Sequence, residues 1–161
     1  MIKLQNILII VLFFPIAVIQ LTIVPFVHIQ DVTPNLLTIL IVYITLNRGQ
    51  VYGTFTGFLY GLFFDLISGG VLGSSMFAQT LTGFLAGYFY DENNSLEYRS
   101  LSFILSIVLL CSFVSSFFYS LLCSTEINSF AQLFIANGIL SAIYTTLVAI
   151  PFSINKNWRV F

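Results

Sequence analysis

Few residues in this chain could do chemistry, and most of them stand alone. Asp65 is the most conspicuous. It lies near the end of the run GTFTGFLYGLFFDLISGG, Gly53 to Gly70, after glycines at 49, 53, 57 and 61. A carboxylate in that setting could anchor a turn, receive a partner's cation, or carry a proton or a metal cation. The other groups are sparser still. One histidine, His28, and two cysteines twelve positions apart, Cys111 and Cys123, do not form a metal-ligand pattern. On one helix those cysteines would be about 18 Å apart, beyond disulfide reach. Both read as buried thiols behaving as small hydrophobes. No nucleophile–base pair and no phosphate-binding loop occurs in the sequence, so no enzymatic activity and no cofactor are expected.

The residues around these groups explain their isolation. The chain is 58% hydrophobic and 7% charged over 161 residues, with a mean hydropathy of +1.02. A soluble domain is about one-quarter charged, because its surface must be wetted. Five Lys and Arg with six Asp and Glu cannot coat a chain of this size, so the expected solvent for most of it is lipid. The net charge of −1 says nothing about nucleic acid, and no basic cluster in the sequence suggests it as a partner.

Apolar stretches separated by polar breaks predict an all-α membrane protein with six spans in a single integral membrane domain. The spans are placed at about 4–26, 34–47, 50–67, 74–90, 100–123 and 130–153. The first is too long for a signal peptide and lacks a small-residue cleavage site. Those at 34–47 and 50–67 are short: fourteen helical residues cover about 21 Å of the roughly 30 Å of hydrocarbon. They are expected to form a hairpin that is tilted, sheltered or extended at its ends. Pro34 in VTPN is placed for a helix start.

Orientation follows from charge. Lys3, Arg48, Arg99, Lys156 and Arg159 all fall on the side that holds both termini of a six-span chain. The positive-inside rule makes that side cytoplasmic. Tyr90, Tyr98 and Trp158 sit at the same level, as interfacial aromatics. The outer side carries His28, Asp31 and Glu126, with Asp65 near the outer end of its span. His28 reads as a solvated interfacial side chain, and Asp91, Glu92 and Glu97 as a solvated acidic loop.

Glycines in such a chain serve helix packing, since they let backbones approach closely where lipid offers no hydrophobic driving force. Steps of four advance about 40° around a helix, so Gly57, Gly61 and Asp65 share a face while Gly53 lies farther round. Ser75, Gln79, Gly83 and Gly87 form a second stripe on the following span. The simplest arrangement packs the two helices antiparallel across SGGVLG. An ionised carboxylate placed centrally in lipid costs about 2.5–3.5 kcal/mol or more, and the last turn of a helix disfavours negative charge. Every Lys and Arg lies on the opposite side. The expected compensation is local: Ser68, Ser74, Ser75 and the free N–H groups of the turn and the next helix start. Asn137, in the last span, reads as interhelical glue.

The segments TPNLLTILIVYITLNRG (Thr33–Gly49) and GFLYGLFFDLISGGVLG (Gly57–Gly73) resemble the rod shape-determining MreD family. That family shows a Pro-Asn or Pro-Asp start to a short apolar helix, then G-x-x-x-G-x-x-x-D-x-x-S-G-x-x-L-G. Pro34, Asn35, Tyr43, Gly57, Gly61, Asp65, Ser68, Gly69, Leu72 and Gly73 occupy those positions. The resemblance covers essentially the whole chain. It implies a non-catalytic bacterial inner-membrane scaffold for cell-wall elongation, partnered with the bitopic protein MreC. MreB, RodA and its transpeptidase are implied within the same complex. It also implies a six-helix bundle like the S components of energy-coupling-factor transporters. The alternative function is therefore a small-molecule carrier, its cavity lined by Gln79, Thr82, Gln132, Asn137 and the serines of the fifth span. The expected contact region is Asp65 to Ser75, including Ser68, Gly69 and Gly73, with the helix that follows Pro34 and Asn35 beside it. Gly53, Gly57, Gly61, Gly83 and Gly87 are expected to pack helices.

Overall fold

The computed structural model describes residues 4–27, 33–91, 100–123 and 138–154. Among them are six α-helices and no strand. They are α1 (Leu4–Thr22), α2 (Leu36–Arg48), α3 (Gln50–Ser68), α4 (Ser74–Gly87), α5 (Leu101–Cys123) and α6 (Ser141–Ile154), with a short 3-10 turn at Val24–Val27. Two of these, α3 and α5, are long and apolar enough to cross a membrane. Lys3, Arg99, Lys156, Arg159, Tyr98 and Trp158, on which the orientation argument leans, lie outside the described residues. So do His28, Asp31, Glu92, Glu97, Glu126, Gln132 and Asn137.

One expectation about the second and third helices needs correction. The third is not short: its nineteen residues rise about 28 Å. The two helices are joined through Gly49 alone, yet the principal neighbour of α3 is α4. The thirteen-residue α2 is sheltered, one of the three expected arrangements, in contact with α3, α4, α5 and α6 as well as α1. Leu37–Val42 and Ile44–Leu46 are all buried. A helix apolar on every side gains most from burial within protein, and α2 forms the wall between two clusters. On one side Ile39, Val42 and Leu46 meet Ala86, Ile104, Ile107, Val108, Cys111 and Ala149. On the other, Leu37, Leu40, Ile41 and Ile44 meet Phe13, Ala17 and Tyr60.

Four threonine hydroxyls inside the bundle are satisfied locally. Thr45, Thr56, Thr82 and Thr145 donate to the carbonyls of Ile41, Tyr52, Ala78 and Ser141, one turn back. Such bonds neutralise a hydroxyl where water is absent, and they leave the apolar faces free to pack.

Candidate functional site

Asp65 sits at the junction of two helix ends. It lies in the last turn of α3, where its own helix dipole disfavours it, but it faces the first turn of α4, where the dipole favours an anion. Its carboxylate accepts three backbone N–H bonds. Oδ2 takes those of Gly73 at 2.9 Å and Met76 at 3.1 Å, and Oδ1 takes that of Ser75 at 3.1 Å. These are donors that a helix start leaves without intrahelical partners. The side chain is 2% exposed. The serine hydroxyls act differently from expectation: Ser68 donates to the main-chain carbonyl of Asp65, and Ser74 to that of Val71. Gly69 closes α3 in the left-handed region (φ 66°), its N–H bonded to the Asp65 carbonyl at 3.2 Å. Gly73 precedes α4 at φ 97°, a conformation that favours glycine.

Beneath this turn α3 and α4 run antiparallel with their backbones in contact. A Cβ at Gly57 would overlap the carbonyl of Gln79, and one at Gly61 would overlap the backbone of Ser75 and Met76. From the other helix, a Cβ at Gly83 would overlap the carbonyl of Gly53. Gly53 is placed differently from its neighbours in sequence: its own open side faces Thr45 of α2, so it admits a second helix. Gly87 admits the side chain of Gln50.

Asn35 caps α2, accepting the Thr38 N–H at 3.1 Å on its Oδ1, and Pro34 stands just outside the cap. That cap is the centre of a polar cluster joining four other helices. The Asn35 N–H donates to Thr145 Oγ1 of α6 at 3.0 Å. Gln79 of α4 donates to Asn35 Oδ1 at 3.4 Å, and Thr38 donates to Ser115 of α5 at 3.3 Å. Ser141 of α6 bonds Ser116 at 2.9 Å and the Thr33 carbonyl at 3.3 Å. Ser112, one turn earlier on α5 and fully buried, makes no hydrogen bond among the described residues.

Gln20 of α1 completes the cluster, and no motif pointed to it. Its amide donates to the Pro34 carbonyl at 3.0 Å and accepts the Leu36 N–H at 2.9 Å, holding the start of α2 from both sides. Its signal was its position, an isolated amide in the apolar second half of α1. Gln20→Leu should leave both backbone groups without these partners and destabilise the bundle by about 2–3 kcal/mol. The check is the temperature at which the purified protein leaves its monodisperse peak in detergent. Phe14→Leu, at an exposed position of the same helix, should move that temperature far less.

The family comparison bears on this arrangement directly. The family described as rod shape-determining protein MreD matches residues 1–155. The chain belongs to the MreD family. The match therefore spans the Asp65 turn, the α3–α4 glycines and the Pro34–Asn35 cap. The family's role is rod shape determination, exercised by a structural membrane protein. No curated protein and no solved structure matches the chain.

The residues singled out within this MreD chain fall into two groups. Asp65, Ser68, Gly69, Gly73 and Ser75 meet at the α3–α4 turn, whereas Pro34 and Asn35 belong to the polar cluster around the start of α2. Along α2, expected beside the turn as part of the contact region, Leu37–Val42 and Ile44–Leu46 are buried within the bundle. A helix too short to cross the hydrocarbon and apolar on every side is held inside the bundle.

Proposed function

We propose that this MreD-family chain is a non-catalytic inner-membrane scaffold of the bacterial cell-wall elongation machinery. In this reading it holds an MreC-like bitopic partner within a complex that includes MreB, RodA and its transpeptidase. Six spans, an S-component-like bundle and cytoplasmic termini belong to the same proposal. The observation that carries it is the family match over residues 1–155.

The geometry supports a scaffold in one specific way. The turn from Asp65 to Ser75 is held by hydrogen bonds at its base and presents exposed apolar side chains at its rim. A rigid surface loses little conformational entropy when a partner docks. With Asp65 nearly sealed by its three amides, the accessible contact area is the rim around it. The carrier alternative gains no support from Gln79 and Thr82, whose polar groups are bonded to other helices or to their own backbone.

The test is purification of the tagged chain from its native host in mild detergent. Retained proteins and small molecules are then identified by mass spectrometry. An MreC-like bitopic protein at near-equal amount is the expected result. A vitamin-like ligand, or a pair of ATPase subunits in its place, would replace the scaffold reading with the carrier.

A further inference from the structure

The α3–α4 tip carries an apolar surface whose depth can be worked out. Between Arg48 and Asp91 the chain has a single charge, Asp65. At the inner end, Arg48 lies 5.4 Å from the centre of the Tyr52 ring. Tyr88 and Asp91 are exposed at the same end, as at a membrane–water boundary. Asp65 is fifteen residues beyond Gln50, or about 22 Å along α3. The hydrocarbon is about 30 Å thick, so even an upright α3 leaves the carboxylate some 8 Å below its outer edge. The fourteen residues of α4 rise about 21 Å, which puts its first turn at the same depth. Ser68 and Gly69, the top of the hairpin, come to about 28 Å.

This depth explains the carboxylate's bonding. A helix that begins in hydrocarbon has no water for its first N–H groups, and each unsatisfied one is costly. Asp65 takes three of them, and the Ser68 and Ser74 hydroxyls turn inward to carbonyls. Around the exposed Ser68, Gly69 and Gly70 at the top of the turn, the outward side chains are apolar: Leu66, Ile67, Val71 and Leu72 are 59%, 50%, 51% and 66% exposed. They continue the exposed band of Phe55, Phe58 and Phe63 on α3 and Phe77 on α4.

We infer that the α3–α4 tip is seated in the outer leaflet, with Leu66, Ile67, Val71 and Leu72 at the boundary between acyl chains and headgroups. The occupant of this surface in the isolated protein is lipid. A bitopic partner using the face would meet it with the outer turn of its own transmembrane helix. The inference rests on the proposed orientation of the chain but needs no partner for its test, so a failed pull-down and a failed depth measurement are separate results.

The purified full chain carrying Cys123→Ser and Leu72→Cys is labelled with bimane. It is then reconstituted in phosphatidylcholine–phosphatidylglycerol vesicles containing lipids brominated near the headgroup end of the chain. Phe55→Cys, on the exposed face of the second turn of α3, and Ser100→Cys, at an exposed loop position, serve as lipid and water references in the same background. Cys111 stays in place because it is fully buried. Bimane at position 72 should be quenched by the brominated lipid, whereas the label at position 100 should not. An impermeant maleimide should modify Leu72→Cys roughly tenfold more slowly than Ser100→Cys, because a thiol in apolar surroundings holds less thiolate. Fast labelling, with or without quenching, places the tip in water and overturns the inference. Slow labelling without quenching means protein covers the tip, which overturns it equally. All variants change exposed or half-buried positions, and a monodisperse elution profile confirms their fold before labelling.

Discussion

Asp65→Asn should destabilise the bundle by on the order of 3 kcal/mol, and Asp65→Leu by roughly twice that. The carboxylate serves three buried or half-buried N–H groups with two oxygens. An amide of the same shape offers one oxygen. Placed at Oδ2, that oxygen keeps the Gly73 and Met76 bonds, but the new NH2 group then faces the Ser75 N–H. Turned the other way, it keeps the Ser75 bond and opposes two donors. Leucine removes every acceptor and leaves the Gly73, Ser75 and Met76 N–H groups without these partners. The measurement is thermal unfolding in detergent, read as loss of the monodisperse peak, with cell width followed in a strain that depends on the variant. Wild-type stability of Asp65→Asn would show that the turn does not need a carboxylate. A variant of normal stability that no longer retains its partner would assign the charge to docking instead.

Gly61→Leu should be at least as damaging, and by a different route. A Cβ at this position already overlaps the backbone of Ser75 and Met76. Main chain cannot turn aside as a side chain does, so the two helices must separate along their whole contact. Overpacking in a dense core costs about 1–3 kcal/mol. Here the upper end of that range is expected, together with weakening of the Asp65 bonds one turn above. Two nearby glycines provide the contrast. Gly70→Ala meets only the Ser68 hydroxyl at 3.6 Å and should be almost silent. Gly69→Ala has open space but a φ of 66°, and should cost about 1 kcal/mol through backbone strain alone. Accumulation in membranes and the same heating assay would rank the three. Equal behaviour of Gly61→Leu and Gly70→Ala would mean that α3 and α4 are not in backbone contact.

Much of this organisation was legible because lipid leaves a strong compositional signature. A chain this poor in charge, with long continuous apolar runs instead of alternating apolar and polar residues, reads as helical in a membrane, since only helices and closed barrels satisfy every backbone group there. The spacing of Gly57, Gly61 and Asp65 marked one helix face, and an intervening turn rich in glycine marked where the chain reverses. The resemblance to MreD rested on the same residues. Periodicity could not tell which helix each small residue admits. Gly53 follows the ladder in sequence but opens toward Thr45 of α2, because steps of four drift around the axis.

The solvent, the helical class, the family and the location of the one charge within a long apolar stretch were all readable from the residues in order. Those properties depend on composition and on residues near one another in the chain. Tertiary structure alone decided what that charge binds and which helix lies inside. Asp65 looks unfavourable when read along α3, and becomes favourable only when the start of α4 is brought against it. Likewise α2 reads as a span too short for the bilayer until five other helices enclose it. Gln20 reads as a stray amide until it meets Pro34 and Leu36. Hydrogen-bond partners eight to 110 positions apart leave no local pattern, because the energy that pairs them exists only once the helices have packed.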